Sequence, residues 1–272
     1  MIKSDLHNQV SIITGAAGLL GYQFSEVLLE SGATVCLLDI DADNLREKSQ
    51  RLKSQYGPKV FTLECNITHE DQMTQACSRI LDQFGKIDIL VNNAANNPKV
   101  ESTTETDFSR LENFLLTRWN QDIEVGLTGA FLCCKIFGAK MAEKKSGVII
   151  NIASDLSVIG PDQRIYQDSQ LPPHRQPVKP VTYSVVKSGL LGLTRYLATY
   201  WADSGIRVNA LSPGGVYAGQ PREFVNRLTN LIPMKRMAEI DEYKGTLLFL
   251  CSDSSKYMTG QNIIIDGGRT VW

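Results

Sequence analysis

Residues 10–21 read VSIITGAAGLLG, that is Val10-Ser11-Ile12-Ile13-Thr14 followed by Gly15-Ala16-Ala17-Gly18-Leu19-Leu20-Gly21. The first five residues are mostly β-branched and end at a glycine, the signature of a short strand buried on both faces. A helical pattern, Gly21–Glu30, follows directly. Strand, glycine-rich turn and helix in this order make the first half of a βαβ unit. The small residues let the backbone approach a phosphate, and the helix start offers unpaired N–H groups at the positive end of its dipole. A plain strand-to-helix turn can look the same, so the remainder of the chain has to decide.

The rhythm continues outward from this stretch. Further runs of strand character are Thr34–Asp39, Val60–Glu64, Ile87–Asn92, Gly147–Ala153, Ile206–Leu211 and Asn262–Asp266, with helical patterns such as Asp71–Phe84 between them. Strands alternating with helices predict right-handed βαβ units and an α/β fold, a parallel sheet covered by helices on both faces. No repeat, low-complexity segment or linker divides residues 1–272, so a single domain is expected. At 43% hydrophobic residues the chain can bury a large core. Its 28 Lys+Arg balance 29 Asp+Glu, a net charge of −1, which argues against holding nucleic acid or anionic lipid by bulk electrostatics. No run approaches the roughly 18–20 uninterrupted apolar residues of a membrane span, and MIKSDLHNQV is too polar for a signal-peptide core. The six cysteines have no CxxC spacing and lie in apolar runs. They read as buried, reduced thiols of a cytoplasmic protein, with no disulfide framework and no metal site.

Candidate chemistry gathers where strands end. Asp39 closes the second strand, where a carboxylate can accept both ribose hydroxyls of NAD (NADH) and would repel the 2′-phosphate of NADP. No Lys or Arg lies between Asp39 and Arg46 or within the Gly15–Gly21 loop to meet such a phosphate. Tyr183-Ser184-Val185-Val186-Lys187 lies in a helical pattern, Val181–Trp201, and the i, i+4 spacing puts Tyr183 and Lys187 on one face. A neighbouring ammonium favours phenolate, so the pair is suited to exchange a proton with an alcohol or carbonyl oxygen. Ser154 ends the strand GVIINIAS, Asn92-Asn93-Ala94-Ala95 ends the fourth strand, and Pro213-Gly214-Gly215-Val216 follows the sixth. Open α/β sheets bind ligands outside the carboxyl ends of their strands, and all of these residues fall on that edge.

In order, TGAAGLLG (14–21), Asp39, NNAA (92–95), NIAS ending at Ser154, YSVVK (183–187), SPGG (212–215) and TGQNIIIDGG (259–268) resemble the short-chain dehydrogenase/reductase family over nearly the whole chain. The resemblance implies a doubly wound, seven-stranded Rossmann-type sheet and a nicotinamide-linked alcohol/ketone oxidoreductase, usually a homotetramer and otherwise a homodimer. It implies Tyr183 as acid/base, Lys187 as the residue that holds the nicotinamide ribose and lowers the tyrosine pKa, and Ser154 as binder of the reacting oxygen. Gly15, Ala17, Gly18, Leu19, Leu20, Gly21, Asp39, Asn66, Ile67, Asn93, Ala94, Ala95, Pro213, Gly214 and Val216 would line the cofactor.

Some positions depart from the family pattern. Leu19 stands where the second glycine of TGxxxGxG belongs, which predicts a shifted loop path. Ala95 replaces a glycine, and Asn66 replaces the aspartate that meets the adenine. The helix asparagine of the proton relay falls at Gly126, so either a water fills the gap or the proton leaves by another path. A mid-helix glycine also costs about 1 kcal/mol against alanine.

Between Ser154 and Tyr183 lie 28 residues, 155–182, with five of the ten prolines. A proline-rich insert of this length reads as a shaped lid. Its Arg164 and Tyr166, together with Asp162, Gln163, Asp168, His174, Arg175 and Lys179, suit a hydroxyl-rich, sugar-type substrate, with phosphate a further option for the basic side chains. DQRIY (162–166) and the stretch 195–220 resemble the gluconate 5-dehydrogenase-like and flagellin-modification subgroup, which implies a sugar, sugar phosphate or nucleotide sugar. Two rivals stand beside this reading: an NADPH-dependent 3-oxoacyl-carrier ketoreductase, and a dinucleotide-binding sensor without turnover.

Overall fold

The computed structural model describes residues 5–96 and 109–272. Seven parallel strands form one sheet in the order β3-β2-β1-β4-β5-β6-β7. They are β1 (Val10–Thr14), β2 (Thr34–Asp39), β3 (Val60–Glu64), β4 (Ile89–Asn92), β5 (Gly147–Ile152), β6 (Ile206–Pro213) and β7 (Asn262–Ile265). The first three have the bounds expected from their sequence. β6 runs two residues further than expected because Ser212 and Pro213 pair with Ile264 and Ile265 of β7. A proline is tolerated there, at the end of the strand.

The helices are α1 (Leu19–Glu30), α2 (Ala42–Tyr56), α3 (Glu70–Phe84), α4 (Leu116–Glu143), α5 (Val181–Tyr200), α6 (Arg222–Thr229) and α7 (Lys244–Cys251). Period-2 alternation in the strands divides the core. In β2, Val35 and Leu37 join Phe24 and Leu28 of α1 and Leu247 of α7 on one face. Cys36 and Leu38 join Met73 and Ile80 of α3, Phe137 of α4 and Leu197 of α5 on the other. All six cysteines are free and buried, and burial pushes the Cys36 and Cys251 thiols up to about 12. Such thiols have little thiolate character and behave as small apolar residues.

α4 is long and apolar enough, by length and composition, to cross a bilayer, although no uninterrupted apolar run announced it; half of its most apolar window is buried inside the fold. Its Met141, Phe137 and Cys133 lie in the core layer that packs on the sheet. Two π-type stretches, Glu124–Thr128 and Cys134–Gly138, interrupt it.

α1 packs closely on the turn that precedes it. A Cβ on Gly21 would lie 2.1 Å from the Gly15 carbonyl oxygen and 2.9 Å from the Asn93 side-chain nitrogen. Helix propensity alone would make Gly21→Ala stabilising by about 1 kcal/mol. The backbone clash predicts the opposite, a loss of about 1–3 kcal/mol. Urea unfolding of this variant should give a lower midpoint at unchanged slope; a raised midpoint would show that the turn relaxes freely.

Candidate active site

The glycine-rich turn leaves β1 through Gly15, whose φ of +62° is a left-handed conformation. Gly18 is extended and precedes α1, which has no side-chain cap and no acidic residue in its first turn. The helix start therefore presents its N–H groups and dipole to whatever lies beyond the sheet edge. Leu19 is the first residue of α1 with its side chain partly in solvent, so no left-handed glycine is required at that point.

Asp39 ties β2 to this turn. Its Oδ2 accepts from Ala17 N–H at 2.8 Å and its Oδ1 from Asp41 N–H at 3.0 Å. The cap of α2 is Asp41, whose carboxylate accepts from Asn44 N–H at 3.0 Å, which removes capping as the reason for Asp39. Asn93 donates from Nδ2 to the Thr14 and Gly15 carbonyls, both at 3.0 Å. The Thr14 hydroxyl accepts from Asn93 N–H and Ala94 N–H, each at 3.1 Å. Asn66 Oδ1 accepts from the backbone and hydroxyl of Thr68, and buried Ile67 packs against Gly129 of α4. On the far side of the crevice, Gly214 N–H donates to Ile265 at 2.8 Å and Val216 bridges to Ala238. The expected cofactor-lining segments thus share one edge of the sheet.

Ser154 follows β5 and is buried; Tyr183 and Lys187 stand on one face of α5. The Ser154 hydroxyl donates to Asp155 Oδ1 at 2.8 Å. Lys187 Nζ donates to the Ile152 carbonyl at 2.7 Å and lies 6.0 Å from the centre of the Tyr183 ring. Burial pushes Tyr183 above the usual phenol value, partly opposed by the neighbouring Ser154 hydroxyl. The Lys187 ammonium is turned to a β5 carbonyl, and desolvation is the largest influence on the phenol. Lys187 is itself lowered to about 8, by burial and then by repulsion from Lys179. The nearer ammonium is that of Lys179, 3.7 Å from the ring centre and lowered to about 8 by its own burial.

Gly126 lies in the first π-type stretch of α4. A Cβ there would sit 2.4 Å from Cγ1 of Val186, so a Val186 methyl occupies the space of an asparagine side chain. Beside it is a cavity of ≈ 10 Å³ lined by Asp122, Gly126, Lys179, Tyr183 and Lys187, among others. The Asp122 carboxylate also accepts from the Thr182 hydroxyl at 2.5 Å.

The insert 155–182 is built from three short turns, Asp155–Ser157, Gln163–Tyr166 and Pro173–Arg175. Gln176 knits it by accepting from Asp168 N–H at 2.8 Å and donating to the Asp168 carbonyl at 2.8 Å and the Leu171 carbonyl at 2.5 Å. Ile165 anchors it against Leu228, Ile232 and Met237. The two insert residues expected at the substrate separate here. Tyr166 packs on Phe224 with ring centres 5.6 Å apart, and burial raises it within reach of the charges on Arg269 and Asp155. Arg164 is held by both oxygens of Asp162 at 2.9 and 2.7 Å, with its side chain 80% exposed. It faces solvent because its neighbour two residues back already satisfies the guanidinium. His174 is exposed as well.

Two residues that the sequence did not single out complete the site. Asp155 accepts from the Ser154 hydroxyl at 2.8 Å and forms a buried ion pair with Arg269 at 2.7 Å. Asp155 could have been noticed as the neighbour of Ser154. Arg269 lies 114 positions away, and no spacing rule links the two.

The short chain dehydrogenase family profile matches residues 9–168, and a profile described as enoyl-(acyl carrier protein) reductase matches residues 174–270. An NAD-dependent glycerol dehydrogenase of Listeria innocua is 32% identical, over 98% of this chain and 96% of its own. The 3-oxoacyl-[acyl-carrier-protein] reductase FabG of Aquifex aeolicus is 30% identical, over 97% and 98%. The crystal structure of NAD⁺-bound xylitol dehydrogenase superposes with a TM-score of 0.84 at 26% identity, over 97% of this chain and 99% of that one. The open helix start, the motif order along one sheet edge and these matches agree: the chain belongs to the short-chain dehydrogenase/reductase family and is an oxidoreductase.

Proposed function

We propose that the protein is an NAD-dependent dehydrogenase that moves hydride between nicotinamide and a secondary alcohol or ketone of a polyol or other sugar-type substrate. The observation that carries this reading is the placement of Tyr183 and Lys187 on one helix face, with buried Ser154 at the end of β5, at the sheet edge beside the glycine-rich turn. A nicotinamide dinucleotide suits the residues present: an uncapped helix start for its pyrophosphate, and a carboxylate at Asp39 for its adenosine ribose. Lys187 is placed to meet the other ribose. Polyol and sugar-alcohol dehydrogenases among the relatives, and the polar insert over the site, support the substrate class. The apolar residues left exposed on α4 and α5, Leu116, Phe131, Tyr196 and Tyr200, fit contacts between copies in a dimer or tetramer.

When bound, the nicotinamide supplies or receives the hydride; the remaining work falls to the chain. Ser154 holds the reacting oxygen beside Tyr183. Tyr183 takes the hydroxyl proton as an alcohol is oxidised and returns it to the carbonyl oxygen in reduction. Burial keeps the phenol protonated at rest, which suits the donor role in reduction; oxidation requires added positive charge near the ring to favour phenolate. Lys187 and Lys179 are the chain's own sources of that charge. Orientation and a dry, preorganised site account for the gain in rate.

The carrier-ketoreductase reading has the FabG relative in its favour and Asp39 against it. The sensor reading has only Gly126, and the Ser154–Tyr183–Lys187 set opposes it.

Fluorescence titration should show NADH binding tighter than NADPH, and Asp39→Ser should shift that ratio toward NADPH by about tenfold or more, ~1.4 kcal/mol. NADPH preference in the wild type would overturn the cofactor assignment. On a panel of glycerol, D-threitol, xylitol and gluconate, at least one compound should drive NADH formation. Tyr183→Phe should lower kcat by about 10²–10⁴-fold while NADH still binds. Tight NADH binding with no Tyr183-dependent turnover on any polyol or ketoacyl substrate would leave the sensor reading standing.

A further inference from the structure

Lys179 stands four residues before Tyr183, as Lys187 stands four residues after it, so the segment 179–187 carries a lysine on either side of the phenol. The two differ in what their ammonium groups meet. Lys187 Nζ donates to the Ile152 carbonyl at 2.7 Å and lies 6.0 Å from the centre of the Tyr183 ring. Lys179 Nζ lies 3.7 Å from the same centre. That is contact distance for a cation on an aromatic face, well inside the roughly 6 Å reach of the interaction.

Helical spacing does not account for this contact, because α5 begins only at Val181. The backbone around Lys179 is fixed from outside the helix instead. Lys179 N–H donates to the Gln163 side chain at 2.8 Å, and Val178 N–H donates to the Ser109 hydroxyl at 3.1 Å. Pro180, with its φ of −54°, sets the direction in which the chain enters α5. Gln163 opens the turn whose Ile165 is buried against Leu228, Ile232 and Met237. The insert therefore has its own anchor at α6, and from that anchor it delivers an ammonium group onto the reacting ring. Lys179 also lines the cavity beside Gly126, together with Asp122, Tyr183 and Lys187.

A cation on the ring face favours phenolate over phenol, because the phenolate spreads its charge into the ring. We infer that the two lysines divide the work: Lys179 is a positioning residue that stabilises Tyr183 as phenolate from the ring face, while the Lys187 ammonium is held at the end of β5. The inference rests on the reading of Tyr183 as the acid/base. Burial lowers Lys179 to about 8, so it is mostly ammonium at neutral pH and loses its charge as pH rises through that value. Other titratable groups surround the two side chains. Asp122 on α4, Tyr166 of the insert and the Asp155–Arg269 pair stand around the phenol. Asp155 favours the charged form of Lys179, and Lys187 and Lys179 repel one another. Arg110 and Glu112, which precede α4, line a cleft of ≈ 410 Å³ on the other side of Lys179.

The test reads Tyr183 in the full chain without substrate. Tyr183 is replaced by a fluorinated tyrosine, whose phenol ionises at lower pH because fluorine withdraws electrons. Its absorbance titration then falls where Lys179 is still charged. Lys179→Met and Lys179→Gln should each raise the midpoint by about one pH unit, a tenfold smaller share of phenolate at a given pH. Lys179→Arg should keep the midpoint at or below that of the protein with Lys179, because a guanidinium stays charged and stacks on aromatic rings. A second readout uses Tyr183 itself. Where a panel polyol turns over, Lys179→Met should lower kcat about tenfold with KM little changed, and Lys179→Arg should restore it.

An unchanged midpoint in both neutral variants would overturn the inference, since the ammonium would then not act on the phenol. Equal displacement in Lys179→Met and Lys179→Arg would overturn it too, because Lys179 would then serve only to shape the insert. So would a raised midpoint with kcat unchanged on a polyol that turns over. If Lys179→Met does not fold, Lys179→Gln against Lys179→Arg decides: a midpoint about one unit higher in Lys179→Gln supports the inference, and equal midpoints overturn it. The expected order of midpoints with no turnover on any polyol supports the role of Lys179 and counts against the proposed substrate class.

Discussion

Asn93 and Thr14 hold the sheet together at the one place where it has to open. The strand order reverses between β1 and β4, and there a doubly wound sheet leaves the crevice that its ligands use. The Asn93 amide bridges the last carbonyl of β1 and the first of the glycine-rich turn, while the Thr14 hydroxyl receives the two N–H groups that leave β4. Both strands are thereby pinned just where their helices depart in opposite directions. The left-handed Gly15, the approach of Gly21 to its carbonyl and the open start of α1 all rest on that pinning. So does the distance from the turn to Ser154, because β5 registers directly on β4. A side chain that sequence reasoning places among the cofactor contacts has its observed hydrogen bonds within the frame.

Beyond that frame, burial more than charge sets the electrostatics of the site. Tyr183 is raised and Lys187 and Lys179 are lowered by the same cause, loss of water. Each of the three is thus displaced toward its uncharged form. Two ammonium groups that repel one another lie around one phenol, and a third cation, Arg269, is already paired. A site with this balance gains from an added negative charge, or from the loss of a proton at the phenol. A phenol that has lost its proton is the form able to accept one.

The sheet was legible in the sequence because each strand is a short β-branched run bounded by turn residues. A parallel sheet buried on both faces leaves few other places for such runs. Tyr183, Lys187 and Ser154 were legible because helical spacing and strand ends fix where side chains go. The insert was legible only as a unit. Arg164 looked available because a composition cannot show that Asp162, two residues before it, would take both of its nitrogens. Lys179 looked like one lid charge among several, and its place over the Tyr183 ring depends on how the insert folds back through Pro180 into α5. Arg269 left no mark at all, since its partner Asp155 lies in the turn after β5, 114 positions earlier in the chain.

Gly126 and Asp155 make sense together. On the α4 side, the position where the family pattern leads one to expect an asparagine carries no side chain, and a Val186 methyl fills the space. Beside that methyl lies a water-sized cavity lined by Asp122, Lys179 and Lys187 as well as Tyr183. On the opposite flank, the polar groups are denser than positioning by serine alone requires: a carboxylate on Ser154, and a guanidinium on the carboxylate. Buried polar networks are costly unless their members are mutually satisfied, and Asp155 meets the Ser154 hydroxyl, Leu156 N–H and Arg269 at once. Through Arg269 the end of β5 is tied to the turn after β7, so two segments far apart in the chain are held in one register at the sheet edge.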